Sequence, residues 1–354
     1  MRPVRTPRSA LGPVIGALAL GAGLLSACST GPSSTGETPG GASTSQAEAG
    51  AFPVTIEHAF GETTVEEEPT RVATLGWSDQ DAVLSLGVVP VGATKLTWGG
   101  NGGGSSDWFD AGVAEVADGT GAEAPVRYDD ADGAPVEEIA ELAPDLILAT
   151  NSGITEKEYE RLSRIAPVVA YPDAPWVTPW QTSLDMVGQA LGRNDLADEV
   201  EAETEGAIEA AREEYPQLEG ASFVFAYLTT TDLSSVGVYA PADPRVSVMN
   251  DFGLVNAPMV EEVVEDGQFY GTLSAERADG LESDVLLTYA EGEDDLATYA
   301  DDPLLGRIPA IAEGHAYAEP DKHVGLAVTN PTPLSVPYIV EHFLPEVARA
   351  VDGA

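Results

Sequence analysis

Two short stretches of the chain carry acidic residues at matched spacing. Glu137-Glu138-Ile139-Ala140-Glu141-Leu142-Ala143-Pro144-Asp145 runs into Leu146-Ile147-Leu148, and Glu276-Arg277-Ala278-Asp279-Gly280-Leu281-Glu282-Ser283-Asp284 runs into Val285-Leu286-Leu287. Each reads Glu, Leu five residues on, Asp eight residues on, then an aliphatic strand. The pattern puts Glu137 and Glu276 in the first turn of short surface helices that feed buried strands, with Ser274 placed to cap the second. For one site the helix dipole explains the Glu, at a few tenths of a kcal/mol. Two copies at equal spacing, one in each half, point instead to a matched pair of docking carboxylates.

Other patterns carry less chemistry. Gly76-Trp77-Ser78-Asp79-Gln80 follows a strand as a nucleophile elbow does, but the closing glycine is absent and no His follows in a triad position, so a hydrolase ranks low. The run Gly99-Gly100-Asn101-Gly102-Gly103-Gly104 lacks the strand-to-helix setting and the Lys of a phosphate loop, and reads as a flexible excursion. One Cys permits no intrachain disulfide, and four scattered His build no Cys/His zinc framework. No catalytic residue, resident metal or cofactor is expected, and the chain is not read as an enzyme.

The elements that would position these residues alternate. Strands are expected at 71–75, 88–93, 145–150, 168–171, 222–228, 284–290 and 315–318, and helices at 78–86, 136–142, 155–165, 178–191, 247–252 and 335–351. This alternation argues an α/β protein with mainly parallel sheets flanked by helices. Between the halves, Leu196, Val200, Ile208 and Ala211 fall at helical spacing over Asp195–Tyr215, with Pro216 at the end. At 1.5 Å per residue that stretch is a rod of about 30 Å. The expected organisation is an N-terminal lobe (51–193), one long rigid connecting helix (194–216) and a C-terminal lobe (217–354), with a ligand cleft between the lobes.

Composition narrows the partners. The chain has 354 residues, with 59 Asp and Glu against 16 Lys and Arg and a formal charge of −43. A field of that sign repels polyanions, which excludes nucleic acid. Acidic residues are spread along the whole chain from Glu37 onward, as suits either a saline habitat or the solubility of an exported protein; the salt dependence of the thermal midpoint separates the two.

The first 27 residues read as a secretory signal peptide, with Arg2, Arg5 and Arg8 ahead of an apolar run too short to span a bilayer. The run ends in Leu25-Ser26-Ala27-Cys28, which resembles a bacterial lipobox and implies lipidation of Cys28 at the outer face of the cytoplasmic membrane. Residues 28–50, rich in Ser, Thr, Gly and Pro, are expected to form a flexible tether.

Several stretches together resemble the substrate-binding lipoproteins of iron-siderophore ABC importers: Arg71-Val72-Ala73-Thr74-Leu75-Gly76-Trp77, Leu86-Gly87-Val88-Val89-Pro90-Val91-Gly92, Leu142 to Leu148, Ile165-Ala166-Pro167-Val168-Val169 and Ser274-Ala275-Glu276. The resemblance implies a monomer that captures a ferric siderophore between its lobes and presents it to a membrane permease served by a cytoplasmic ATPase. It also implies that Glu137 and Glu276 pair with arginines of that permease. Glu138 ranks second, because Ile139 follows Glu137 as the family pattern requires. For the ligand it points to Trp77, Trp98, Trp108, Arg127, Tyr128 and Trp176 from the first half and Tyr227, Tyr239, Arg245 and Tyr270 from the second. No cluster of cations is visible, so a neutral or cationic ferric hydroxamate is favoured over a polyanionic chelate. Haem or cobalamin is the alternative ligand, and a bare metal ion ranks below both.

Overall fold

The computed structural model of the protein describes residues 46–265 and 268–353. The stretch read as a signal peptide, Cys28 and the expected tether up to residue 45 lie outside the described residues. The last stretch assigned to the tether is pinned rather than free. Glu48 accepts hydrogen bonds from the Asp195 amide at 2.7 Å and the Asn194 side chain at 3.3 Å. It thereby satisfies donors at the start of the helix Asn194–Glu214, where the preceding Arg193 supplies no side-chain cap.

A hairpin of β1 (Val54–His58) and β2 (Gly61–Val65) opens the described chain. The first main sheet follows: β3 (Val72–Thr74), β4 (Gly92–Thr94), β5 (Val126–Tyr128), β6 (Leu146–Ala149) and β7 (Val168–Ala170). Its order is β5-β4-β3-β6-β7, and every pairing is parallel. Strands buried on both faces need continuous apolar runs, and Leu146-Ile147-Leu148-Ala149 is buried throughout.

The second sheet takes β8 (Ser222–Thr229), β9 (Asp232–Tyr239), β10 (Val255–Asn256), β11 (Tyr270–Ser274), β12 (Val285–Tyr289) and β13 (Ala316–Glu319). Its order is β11-β9-β8-β12-β13, with β10 on β8. The β8, β10, β12 and β13 pairings are parallel, whereas β9 runs antiparallel to both β8 and β11. The expectation of parallel strands therefore holds for the first sheet and for only part of the second. A tight β8–β9 turn reverses the chain and needs no crossover helix.

Between the sheets in sequence lies the 21-residue helix Asn194–Glu214, about 31 Å long. One apolar cluster runs from Val72 and Leu146 of the first sheet through Trp180, Ile208 and Ala211 to Phe223, Val285 and Val347 of the second half. Separate clusters cover the far face of each sheet. The helix expected over 335–351 is two helices, Val336–His342 and Leu344–Asp352. Pro345 lacks the amide that would continue the first helix, so the chain restarts there.

The acidic repeat has a structural half and an exposed half. Asp145 accepts from the amides of Thr70 and Arg71 and the Thr70 hydroxyl, clamping the start of β6 to that of β3. Asp284 does the same for β12 and β8 through the amide and hydroxyl of Ser222, at 2.7 and 2.6 Å. Glu137 and Glu138 stand exposed in the first turn of the helix Val136–Glu141, and Glu276 is exposed in the 3₁₀ turn Ala275–Gly280. Arg161 pairs with Glu137 at 3.1 Å.

Candidate functional site

A cleft of about 270 Å³ opens where the ends of strands from both sheets converge. Trp77 follows β3, Asn151 follows β6 and Trp176 lies in the loop after β7; from the second half come Asp243, Pro244 and Arg245 after β9, Phe269 before β11, and Thr329 and Asn330 at the end of the helix Lys322–Thr329. Ligands of open α/β sheets bind at such strand ends.

Local backbone explains how the first half presents its side chains. Gly76 has φ +82°, and a Cβ there would lie 2.3 Å from the carbonyl oxygen of Asn151. Only glycine lets the end of β3 approach the end of β6 this closely, which sets Trp77 beside Asn151. Trp176 adopts φ +64°, a conformation L side chains rarely take, and is 37% exposed. Its indole lies against Gly153, where a Cβ would come within 2.4 Å of Nε1. Strain of this kind, on the order of 1–3 kcal/mol, gathers at binding sites.

Among the described residues that line the cleft, Arg245 is the one cation, and its side chain is largely shielded. Asp243 caps the helix Pro244–Asp251, accepting from the Arg245 amide at 3.0 Å and from Arg245 Nε at 2.7 Å. The cap thus aims the guanidinium. Arg245 Cζ sits 3.7 Å from the centroid of the Tyr239 ring, and Tyr239 meets Tyr270 at 5.4 Å. Among the described residues the two Nη atoms have no hydrogen-bond partner. Burial opposes the charge on Arg245, but the Asp243 carboxylate more than offsets it and holds the pKa above the ordinary arginine range. The pair contributes no net charge to the cleft.

Two further polar atoms at the cleft are unpaired. Asn151 is 4% exposed; its Nδ2 reaches Ser78 at 3.3 Å, but its Oδ1 has no partner. Asn330 Nδ2 is likewise buried without a partner.

Of the residues proposed for ligand contact, the structure brings Trp77, Trp176 and Arg245 into the cleft, backed by Tyr239 and Tyr270. The others sit elsewhere. Tyr128 is buried in the first core with its hydroxyl donating to the Thr74 carbonyl. Arg127 turns inward over Phe109, bonded to Gln80, to the Thr94 carbonyl at 3.1 Å and to Ser105. Trp108 donates to Asp81 at 2.8 Å and lies 4.7 Å from the His323 ring. Trp98 packs on Gly325 and meets Tyr289 at 5.3 Å. Tyr227 is 47% exposed on β8. Trp98 and Trp108 share one role: they hold the segment around the glycine run to the second half. His323 Nδ1 lies 2.7 Å from the Gly99 carbonyl there, and Thr332 donates to Asp81 at 2.8 Å. The glycine run is therefore a packed turn rather than a flexible excursion, because side chains at Gly99 or Gly100 would strike backbone carbonyls.

Sequence reasoning missed Asn151, Asp243, Phe269, Thr329 and Asn330. The helix expected over 247–252 starts at Pro244 instead, and Asp243-Pro244-Arg245 carries the signal for that start, with Asp as cap and Pro at the first position; the amides carried no sequence signal. Among the described residues no group of three or more His, Cys, Asp and Glu could hold a metal, and no helix is long and apolar enough to cross a membrane.

Comparison with known proteins agrees with this architecture. Residues 72–322 match the periplasmic binding protein family. The chain is 35% identical to PiaA of Streptococcus pneumoniae, solved in complex with ferrichrome, with a TM-score of 0.80 over 85% of this chain and 99% of that one. It is 31% identical to a protein of Bacillus subtilis named as a probable siderophore-binding lipoprotein, YfiY, over 51% of this chain and 48% of that protein, about half its length. A second Bacillus subtilis protein, the Fe(3+)-citrate-binding protein YfmC, is 25% identical over 74% of this chain and 76% of its own.

Proposed function

The chain belongs to the periplasmic binding protein family, and from that premise we propose that it is the extracytoplasmic binding lipoprotein of an ABC importer, capturing a neutral ferric hydroxamate siderophore and delivering it to a membrane permease. The single observation that carries the ligand assignment is the Arg245–Asp243 pair. Arg245 is the only cation lining the cleft among the described residues, and its charge is already matched at 2.7 Å. A polyanionic chelate would enter with most of its charge unpaired, at a cost of several kcal/mol per buried charge. A neutral trihydroxamate needs less: two guanidinium donors for the iron-bound oxygens, and the faces of Trp77, Trp176 and Phe269 for its apolar arms. The ferrichrome held by the pneumococcal relative supports the same choice.

The mechanism is capture followed by presentation. The two sheets act as the cores of two lobes, 51–193 and 217–354, joined by the segment 194–216. The apolar cluster that runs through this segment keeps lobe motions small, because a packed helix resists the bending a flexible strand hinge allows. Glu137 and Glu276 dock one lobe each on permease arginines, and ATP hydrolysis belongs to a separate cytoplasmic subunit. A lipid on Cys28 keeps the protein at the membrane. Uptake of radioiron by cells lacking this protein tests the reading: loss of ferric hydroxamate transport, restored by the intact gene, is expected, while normal hydroxamate uptake with impaired ferric catecholate or haem uptake contradicts it.

A further inference from the structure

Asn151 and Asn330 line the same cleft from opposite halves, and each keeps one buried side-chain atom without a partner: Asn151 Oδ1, an acceptor, and Asn330 Nδ2, a donor. Buried polar groups in folded proteins are almost always hydrogen-bonded, and each exception calls for an explanation. Asn151 is held in place: its Nδ2 contacts Ser78 at 3.3 Å, and its backbone amide donates to Asp79 at 3.2 Å. Asn330 closes the helix Lys322–Thr329, its carbonyl accepting from the Ser335 hydroxyl at 3.3 Å. Neither side chain needs its free atom for the fold.

We infer that these two side chains read a secondary amide of the ligand outside its iron-binding groups, Asn151 Oδ1 accepting the amide N–H and Asn330 Nδ2 donating to the amide carbonyl. The inference rests on the ferric-chelate reading above and deepens it. It selects chelates built on a peptide or amide-linked frame over chelates that lack amide N–H groups. A site with committed polar partners rejects a ligand that cannot pair them more strongly than an apolar wall does. Arg245 serves the iron centre, and the asparagines serve the frame.

The test uses two neutral ferric hydroxamates. One is a trihydroxamate on a cyclic peptide; the other is ferric tris(acetohydroxamate), which presents a similar iron centre with no frame. Asn330→Asp keeps the shape and removes the donor, and Asn151→Leu removes the acceptor; cooperative thermal unfolding of each variant verifies the fold. Each substitution is expected to weaken the peptide chelate about 10-fold or more and to leave the acetohydroxamate complex within about 2-fold. Should Asn151→Leu not fold, Asn330→Asp carries the test alone. Equal loss for both chelates, or unchanged affinity for both, overturns the inference and leaves the ferric-chelate reading standing. Failure of the unmodified protein to bind either chelate overturns both.

Discussion

Arg245 lies over the ring of Tyr239, its Cζ 3.7 Å from the centroid, while its Nε donates to Asp243 at 2.7 Å. The carboxylate that caps the helix therefore also orients the guanidinium, and the aromatic ring supports it from one face. Arg245→Gln is expected to lower affinity for a ferric hydroxamate by roughly 30-fold or more, since hydrogen bonds from a charged donor contribute about 1.5–3 kcal/mol each. It also leaves Asp243 buried and unpaired, so a fall of about 3 kcal/mol in unfolding free energy is expected. The double variant Asp243→Asn with Arg245→Gln should recover most of that stability and none of the affinity. Denaturant unfolding and ligand titration on the three variants check the two effects separately.

Glu137 and Glu276 stand exposed, each at the first turn of a short helical segment. Replacing both by Ala is expected to abolish transport while chelate affinity stays within about 2-fold, because neither lines the cleft. Uptake in cells and titration of the purified variant give the two readouts. A weakened chelate affinity would contradict this division of labour.

Asp79 and Asp81 make a defined contribution to the pH dependence of stability. Burial pushes both carboxyls up to about 6, against the hydrogen bonds that Thr150 gives Asp79 and that Trp108 and Thr332 give Asp81. The folded state therefore holds protons the unfolded chain has already released. Stability contributed by these groups rises as pH falls from 7 toward 4, by up to about 3 kcal/mol for each carboxyl. Unfolding free energy is expected to be higher at pH 5 than at pH 7. Asp81→Asn should make that slope shallower, and an unchanged slope in the variant, or a slope of opposite sign in the unmodified protein, measured by urea unfolding, would contradict this assignment.

The contact of Trp176 with Gly153 gives a steric prediction. Gly153→Ala places a methyl where the indole now lies, so the ring must move. Affinity is expected to drop about 10-fold with little change in melting temperature, because Trp176 is a loop residue 37% exposed. Intrinsic fluorescence of the unliganded variant should shift as well.

Much of the fold was legible because the strands are short aliphatic runs bounded by turn residues. Leu146-Ile147-Leu148-Ala149 and Val285-Leu286-Leu287 could hardly be anything else. The strands of β9 and β11 were not legible: Asp232-Leu233-Ser234-Ser235 and Tyr270-Gly271-Thr272 lack such runs, and their place is set by antiparallel pairing with each other. The helix Asp107–Thr120 hid behind the glycine run and its own Gly112 and Gly119, though Ser106 caps it. At the site, aromatic residues and an arginine were legible by type, but direction was not. Trp77 and Trp176 reach the cleft, whereas Trp98 and Trp108 turn toward the helices of the second half. Strand-end position alone does not fix where a side chain points. The asparagines were illegible because their significance lies in unpaired atoms, which exist only once the fold has paired the rest.

We propose that the cleft takes a neutral ferric hydroxamate through Arg245 and its aromatic walls. Tryptophan fluorescence of the soluble protein starting at Ser29, titrated with a neutral ferric trihydroxamate and with a trianionic ferric catecholate, tests it most directly. Saturable quenching by the hydroxamate, lost in Arg245→Gln and absent with the catecholate, is the expected result. Tighter binding of the catecholate, or hydroxamate quenching indifferent to Arg245, would contradict it.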